Sequence, residues 1–183
     1  MTEKLNRQSI RLPAYDYSQP GAYFITICTF QKRPIFGEIR EGGINLNFAG
    51  KVAEAQIQRL HQRFLNLEIL TFVIMPNHVH LLLEIADHRR GTASHTNSME
   101  SASTRRAPTE DYGKPQPGSI PTIVRSYKSS VSYRIKGIRN IAEDKIWQRN
   151  YYEHVIKDEV DLQNTYDYID TNPQNWENDP ERD

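Results

Sequence analysis

The sequence of residues 68–85 is EILTFVIMPNHVHLLLEI. Residues 68–75 are rich in β-branched and aromatic side chains, which predicts a strand. Pro76-Asn77 predicts a turn, and residues 78–85 predict a strand that returns along the first. Because side chains alternate along a strand, His78 and His80 project from one face, while the intervening apolar residues enter the core.

The segments on either side complete an alternating pattern of strands and helices. The predicted elements are a strand at 22–30, a small hairpin excursion at 33–48, a helix within 49–67, a helix that starts at Ser119, a fourth strand at 146–155, and a last helix capped by Asp158 and stopped by Pro173. The main order is β-α-β-β-α-β followed by one more helix. This order predicts an α+β fold with a ferredoxin-like split β-α-β antiparallel sheet, in which the first and third strands are central and one sheet face is free for function.

Composition indicates one domain with polar segments at both ends and within it. The chain has 183 residues, no apolar run of membrane-spanning length, no signal-peptide pattern and a single cysteine, Cys28. We therefore expect a soluble cytoplasmic protein without a membrane partner. The predicted organisation is a polar arm at 1–20, a domain at 21–176 with a flexible polar insert at 87–118, and an acidic tail at 177–183.

Two pairs of side chains are candidates for chemistry. His78 and His80 can share one metal ion, although such a pair is also common on a half-exposed strand. Tyr168 and Asn172 lie four residues apart on the last helix and share a face, so they can present a nucleophile and an oxygen ligand. Both also have a structural interpretation: Tyr168 as a half-buried aromatic residue, and Asn172 before Pro173 as a helix stop. If the last helix crosses the open sheet face, the four side chains meet, as an active site requires.

Basic residues cluster in a chain whose net charge is zero. A locally basic segment can attract a polyanion, but it can equally be a solvated face. The candidate phosphate contacts are Arg125, Lys128, Lys136, Arg139 and Arg149.

Four segments together resemble a known family. They are Met75-Pro-Asn-His-Val-His-Leu-Leu-Leu83, Arg125-Ser-Tyr-Lys-Ser129, Trp147-Gln-Arg-Asn-Tyr-Tyr-Glu-His154 and Tyr168-Ile-Asp-Thr-Asn-Pro173. In this order they resemble the single-tyrosine transposases of bacterial insertion sequences, and most closely the REP-associated tyrosine transposases. The resemblance extends from about Gly21 to Trp176, apart from the polar insert.

The resemblance implies an enzyme that cuts and rejoins single-stranded or hairpin DNA by transesterification. It implies Mg²⁺ or Mn²⁺ held by His78, His80 and Asn172, with Tyr168 as the nucleophile that forms a 5′-phosphotyrosine. Some relatives have Gln at the position of Asn172. The wider family contains monomers and dimers that complete each other's sites, so a homodimer is one of the two expected states. The alternatives are a catalytically silent DNA- or RNA-binding protein and a metal nuclease that uses water.

Other residues are weaker candidates. Tyr151-Tyr152 would have opposite orientations on a strand, which favours packing or DNA stacking over a pair of nucleophiles. Glu84 shares the strand face of the two histidines, and His154 lies on the fourth predicted strand, where it could support the site.

Overall fold

The computed structural model describes residues 16–86, 116–139 and 145–182. In chain order the elements are β1 (Gly21–Cys28), β2 (Gly37–Arg40), β3 (Gly43–Leu46), α1 (Phe48–Gln58), α2 (Leu60–Arg63), β4 (Leu67–Ile74), β5 (His78–Ile85), α3 (Ile120–Arg139), β6 (Tyr152–Val155) and α4 (Glu159–Thr171). A short 3-10 turn at Trp176–Asn178 follows α4.

Strands β1, β4, β5 and β6 form one antiparallel sheet, in the order β4-β5-β1-β6. The central strands β1 and β5 are the first and third strands of the predicted pattern, so the predicted split β-α-β arrangement is confirmed. The predicted excursion between β1 and α1 is a separate two-stranded sheet made of β2 and β3.

The two faces of the main sheet have different partners. Ile25 and Ile27 of β1 and Val79 and Leu81 of β5 are buried in the core that α1 and α3 cover. On the opposite face the alternate residues, including Thr26 and its partner His80, lie under α4, which contacts β4 and β5. The face left free by the split β-α-β unit is therefore covered by the last helix.

Several predicted boundaries differ from the structure. The fourth strand, predicted at 146–155, is β6 at Tyr152–Val155, preceded only by an isolated bridge between Thr29 and Trp147. In the preceding segment, the carbonyls of Gln148 and Asn150 accept hydrogen bonds from Lys128 Nζ, both at 2.9 Å. The predicted helix within 49–67 is divided at Arg59 into α1 and α2.

Residues 1–15 of the predicted arm and residues 87–115 of the predicted insert lie outside the described residues. Within the part of the arm that is described, Tyr17 is buried and its ring lies 6.5 Å from that of Tyr23. At the other end, Asp179 is buried as well. Contacts with the core thus extend to both sides of the predicted 21–176 domain.

Candidate metal and tyrosine site

His78 and His80 lie at the start of β5, where the strand leaves the Pro76-Asn77 turn. Both side chains are buried, and their Nε2 atoms are 3.0 Å apart. The turn is closed by the Met75 N–H, which donates to the carbonyl of His78. The antiparallel register places Thr26 of β1 directly beside His80. The short turn and this pairing fix the backbone on which both imidazoles stand.

Hydrogen bonds to the other ring nitrogens aim both Nε2 lone pairs into the site. Asn77 Nδ2 donates to the carbonyls of Glu181 and Arg182, both at 2.8 Å, so Asn77 Oδ1 faces His78 Nδ1 at 2.8 Å. An amide oxygen can only accept, so His78 Nδ1 carries the proton and His78 Nε2 is free. Thr26 Oγ1 lies 2.8 Å from His80 Nδ1 and can accept in the same way. Partners of this kind orient metal-binding histidines.

Burial keeps both imidazoles neutral. It lowers the pKa of His78 to about 4, although the Asp179 and Glu181 carboxylates act in the opposite direction. Burial, followed by the charge of His78, also holds the pKa of His80 well below its usual value. Neutral imidazole is the form that binds a metal ion.

Tyr168 reaches the histidines from α4. Its hydroxyl is 3.3 Å from His80 Nε2, and its ring packs against those of His80 and Phe24. The residue is 37% exposed, so part of its side chain faces solvent. Burial, together with the Asp179 and Glu181 carboxylates, raises the pKa of Tyr168 to about 12. The phenol is therefore protonated near neutral pH without a cation in the site.

Asn172 lies just after the last residue of α4 and is 2% exposed. Its Nδ2 donates to Asp179 Oδ2 at 2.6 Å, while its Oδ1 is buried and has no hydrogen-bond partner among the described residues. A buried amide oxygen without a partner is costly unless a ligand satisfies it. The Asn172 side chain is thus suited to hold an electropositive group.

Asp179 is the site residue that sequence reasoning missed. The tail to which it was assigned folds back, so that Asp179 Oδ2 is 3.7 Å from His78 Nε2. Ligand atoms of His78, His80 and Asp179 all lie within 4.8 Å of one another. An acid in a segment of high acid content predicts solvent exposure, and no periodicity distinguished this one from its neighbours. The ring of Trp176, which stacks on His78, was the only apolar signal nearby.

This group of side chains fits a divalent cation. Two ligands at about 2.1 Å from one ion and at right angles to each other lie about 3.0 Å apart. The two Nε2 atoms have that separation. Imidazole together with carboxylate or amide oxygen suits Mn²⁺ and other six-coordinate ions, and Mg²⁺ accepts the oxygen ligands. The buried, unpartnered Asn172 Oδ1 is consistent with such an ion.

Two curated proteins are similar to the chain over most of its length. No protein-family model matches the chain. An uncharacterized protein of Haemophilus influenzae is 36% identical over 187 residues, which cover 98% of this chain and 97% of that protein. A second protein of that organism, provisionally named a REP-associated tyrosine transposase, is 28% identical over 86% of this chain and 73% of its own. The chain is thus similar over most of its length to a protein that carries this name.

A solved structure has a similar fold. The structure of a REP-associated tyrosine transposase bound to a REP hairpin superposes with a TM-score of 0.56 at 15% identity, and covers 91% of this chain and 73% of that one. At this identity the likeness shows the fold alone. Within the part of the chain that the structure describes, no helix has the length and apolarity to cross a membrane.

The predicted basic residues do not lie at Tyr168. Arg125, Lys128 and Arg149 line a groove between α3 and the segment before β6, together with Tyr151. Lys128 is engaged by backbone carbonyls, and burial lowers its pKa to about 8. Lys136 is half-buried two turns further along α3 than Lys128, and Arg139 is the last residue of that helix.

Tyr168 borders a second, smaller pocket of about 260 Å³, lined by Phe24, Tyr152, His154, Asn164, Thr165 and Tyr168. His154 Nε2 pairs there with Asp161 Oδ2 at 2.8 Å. The adjacent residues Tyr151 and Tyr152 line different pockets, the first the basic groove and the second the pocket of Tyr168. Glu84, the weaker candidate on β5, is exposed.

Proposed function

We propose that this chain cuts and rejoins single-stranded DNA at hairpins, with Tyr168 as the nucleophile and a divalent cation held by His78, His80 and Asn172. The observation that supports the proposal most strongly is the position of the Tyr168 hydroxyl. It lies 3.3 Å from His80 Nε2, at the edge of a buried cluster of neutral imidazoles and oxygen ligands. A nucleophile beside a cation site, accessible from solvent, is the arrangement that phosphoryl transfer needs.

The proposed reaction exchanges one phosphodiester for another. The Tyr168 oxygen attacks the phosphorus, the bond between phosphorus and the 3′ oxygen breaks, and the phenolic proton is transferred through solvent to the departing 3′ oxygen. The products are a 5′-phosphotyrosine and a 3′-hydroxyl. When bound, the cation would polarise the phosphate and stabilise the developing negative charge. Because the ester bond is conserved, a second 3′-hydroxyl can reverse the step and rejoin the strand without ATP.

The ring packing around Tyr168 positions its oxygen for this attack. Phe24 contacts the rings of both His80 and Tyr168, with centroid separations of 5.2 and 5.9 Å. These contacts restrict the phenol to the side of the site where His80 lies. A tyrosine has few rotatable bonds, so aromatic packing of this kind limits the conformations that must be lost on reaching the transition state.

The pocket beside Tyr168 favours a single-stranded substrate. Phe24 and Tyr152 offer aromatic surfaces, and Tyr152 is 44% exposed. Unstacked bases bind to such surfaces, whereas bases inside a duplex cannot reach them. The related solved structure is that of a protein bound to a REP hairpin, which supports hairpin DNA as the substrate class.

The basic groove gives the DNA a path to the site. Tyr151 and Tyr152 are consecutive, so the groove and the pocket of Tyr168 meet at the edge strand β6. We infer that a DNA stem or strand held by Arg125 and Arg149 passes around this edge and delivers an unpaired segment to Tyr168. Arginines in such grooves contribute affinity through phosphates and little base specificity.

The proposal is tested by incubating the purified full-length chain with Mn²⁺ and labelled hairpin oligonucleotides, including the repeats that flank its own gene. A denaturing gel should show strand cleavage and a labelled protein–DNA band for the wild type. We expect Tyr168→Phe to lose both, by more than about 10³-fold, because the nucleophilic oxygen is removed. Binding of the hairpin should persist in that variant.

Tyr152→Phe is the matched control, since Tyr152 lines the same pocket and the substitution also removes one phenolic oxygen. It should retain cleavage. Equal cleavage by Tyr168→Phe and the wild type would overturn the assignment of the nucleophile. Cleavage that yields no covalent product even at early times would favour a water-using nuclease, and tight binding without cleavage would favour a binding protein.

A further inference from the structure

Asp179 occupies the metal-facing side of the proposed site although it comes from the segment after α4. We propose that its carboxylate is a ligand of the cation, alongside His78, His80 and Asn172, and that cation binding thereby fastens residues 176–182 over the site. This inference rests on the proposed metal-dependent function. It adds a ligand that neither the sequence nor the family resemblance indicated.

The first argument is the charge balance of the buried cluster. Asp179 is 8% exposed, and the ion-pair partner that the described residues offer it is His78, 3.7 Å away. His78 Nδ1 donates its proton to Asn77 Oδ1, so the Nε2 atom that faces Asp179 presents a lone pair and not a proton. A buried carboxylate without a cationic partner is costly. A divalent cation between Asp179 and the two Nε2 atoms would provide the missing positive charge.

The second argument is that the carboxylate is held in place for this role. Its Oδ1 accepts from the Glu181 N–H and its Oδ2 from Asn172 Nδ2, both at 2.6 Å. Each carboxylate oxygen accepts more than one bond, so Oδ2 keeps a lone pair on the side of His78. Asn172 therefore has two roles: Nδ2 positions the Asp179 carboxylate, and the unpartnered Oδ1 remains for the cation.

The third argument is that the same segment sets the orientation of His78. The carbonyls of Glu181 and Arg182 accept both Asn77 Nδ2 hydrogens, which leaves Asn77 Oδ1 to accept from His78 Nδ1. The Trp176 ring stacks on the His78 imidazole with an interplanar angle of 29°. The docked segment thus supplies one ligand and orients another. Docking and cation binding are consequently linked, and each must strengthen the other.

The test is the affinity of the metal-free full-length chain for Mn²⁺, measured by isothermal titration calorimetry without DNA. We expect Asp179→Asn, which keeps the volume and removes the charge, to weaken Mn²⁺ binding by more than about tenfold. Glu177→Gln is the matched control, because it removes an exposed carboxylate two residues away that pairs with Arg182 instead of facing the site. It should bind Mn²⁺ nearly as the wild type does. His80→Ala should abolish binding.

A second measurement uses the wild type alone, so it does not depend on the folding of a variant. Mn²⁺ should slow amide hydrogen exchange in a peptide that covers residues 176–182, because the ligand ties this segment to β5. Exchange that is unchanged at saturating Mn²⁺ would overturn the inference.

The outcomes separate this inference from the proposed function. Normal Mn²⁺ binding by Asp179→Asn, with binding lost in His80→Ala, would contradict the role of Asp179 and leave the histidine site intact. Failure of the wild type to bind Mn²⁺ or Mg²⁺ would contradict both.

Discussion

Two buried imidazoles at the start of β5 dominate the chemistry at the scale of single residues. Both have lowered pKa values because burial disfavours the charged form. The same burial that prepares them to bind a cation makes the metal-free fold sensitive to acid. The free energy of unfolding decreases only at a pH low enough for histidine to bind protons.

The metal-free chain should lose stability as the pH falls from about 6.5 to about 4. In this window the unfolded chain binds protons at histidine while folded His78, with a pKa of about 4, does not. The free energy of unfolding therefore decreases on acidification, and no further loss from this residue occurs below its folded pKa. Urea denaturation in EDTA at a series of pH values measures the effect.

Removing a buried imidazole should reduce this pH dependence. His78→Asn should show a smaller decrease in the free energy of unfolding between pH 6.5 and 4 than the wild type. The control is His61→Asn, which removes an exposed imidazole of α2. A decrease of equal size in His78→Asn and the wild type would show that other groups cause the acid sensitivity.

At the scale of residues, four members of the candidate site could be predicted from the sequence and a fifth could not. His78, His80, Tyr168 and Asn172 could be predicted to meet, because alternation along β5 and four-residue spacing on α4 are local rules. Asp179 could not, because its position depends on how residues 172–182 fold back and on two backbone carbonyls that accept from Asn77. Those contacts leave no sequence pattern.

At the scale of elements, α4 carries the proposed nucleophile and its start is fixed by Asp158. Asp158 Oδ1 accepts from the Asp161 N–H at the first turn. Replacing it with alanine leaves that donor unsatisfied, and we expect Asp158→Ala to lower the free energy of unfolding by about 1 kcal/mol. Urea denaturation measures this loss.

Asp170→Ala is the matched control for the cap. It removes an exposed aspartate near the other end of α4, where a negative charge is unfavourable for the helix dipole. Its stability should equal or exceed that of the wild type. An equal loss in both variants would contradict the capping role of Asp158.

The basic groove belongs to two elements, α3 and the segment before β6. Arg125 and Arg149 are exposed there. We expect Arg149→Ala to weaken hairpin binding and to reduce the slope of log K against log salt by about 0.7, as the loss of one phosphate contact to a single strand would. Fluorescence anisotropy at several salt concentrations measures both.

Lys51→Ala serves as the control for the groove, since Lys51 is an exposed cation on α1 that does not line it. An identical salt slope for Arg149→Ala and the wild type would place the DNA elsewhere. Sequence reasoning identified the basic residues, but it could not show that Lys128 is engaged by the carbonyls of Gln148 and Asn150.

At the scale of the whole molecule, the split β-α-β sheet creates the site by leaving one face without a helix of its own. The core of α1 and α3 occupies the opposite face, and α4 covers the free one. This arrangement could be predicted because β1, β4 and β5 have strong alternation or continuous apolar runs, and because topology limits how such strands pair. The position of the basic groove around the β6 edge could not be predicted, because it depends on helix packing.

Whole-molecule organisation also explains how one small domain can combine two tasks. The basic groove and the pocket of Tyr168 lie on either side of β6, joined through Tyr151 and Tyr152. Affinity for phosphates can therefore come from one surface and chemistry from another. Substitutions in the groove should change binding, whereas substitutions at Tyr168 should change only the chemical step.

The central claim is that Tyr168 forms a covalent bond with DNA. The most direct measurement is mass spectrometry of peptides from the chain after incubation with Mn²⁺ and hairpin DNA, followed by nuclease digestion. We predict that the peptide containing Tyr168 carries a nucleotide 5′-phosphate on its phenolic oxygen. A nucleotide attached to Tyr152 or another residue, or cleaved DNA with no modified peptide at any time, would contradict the claim.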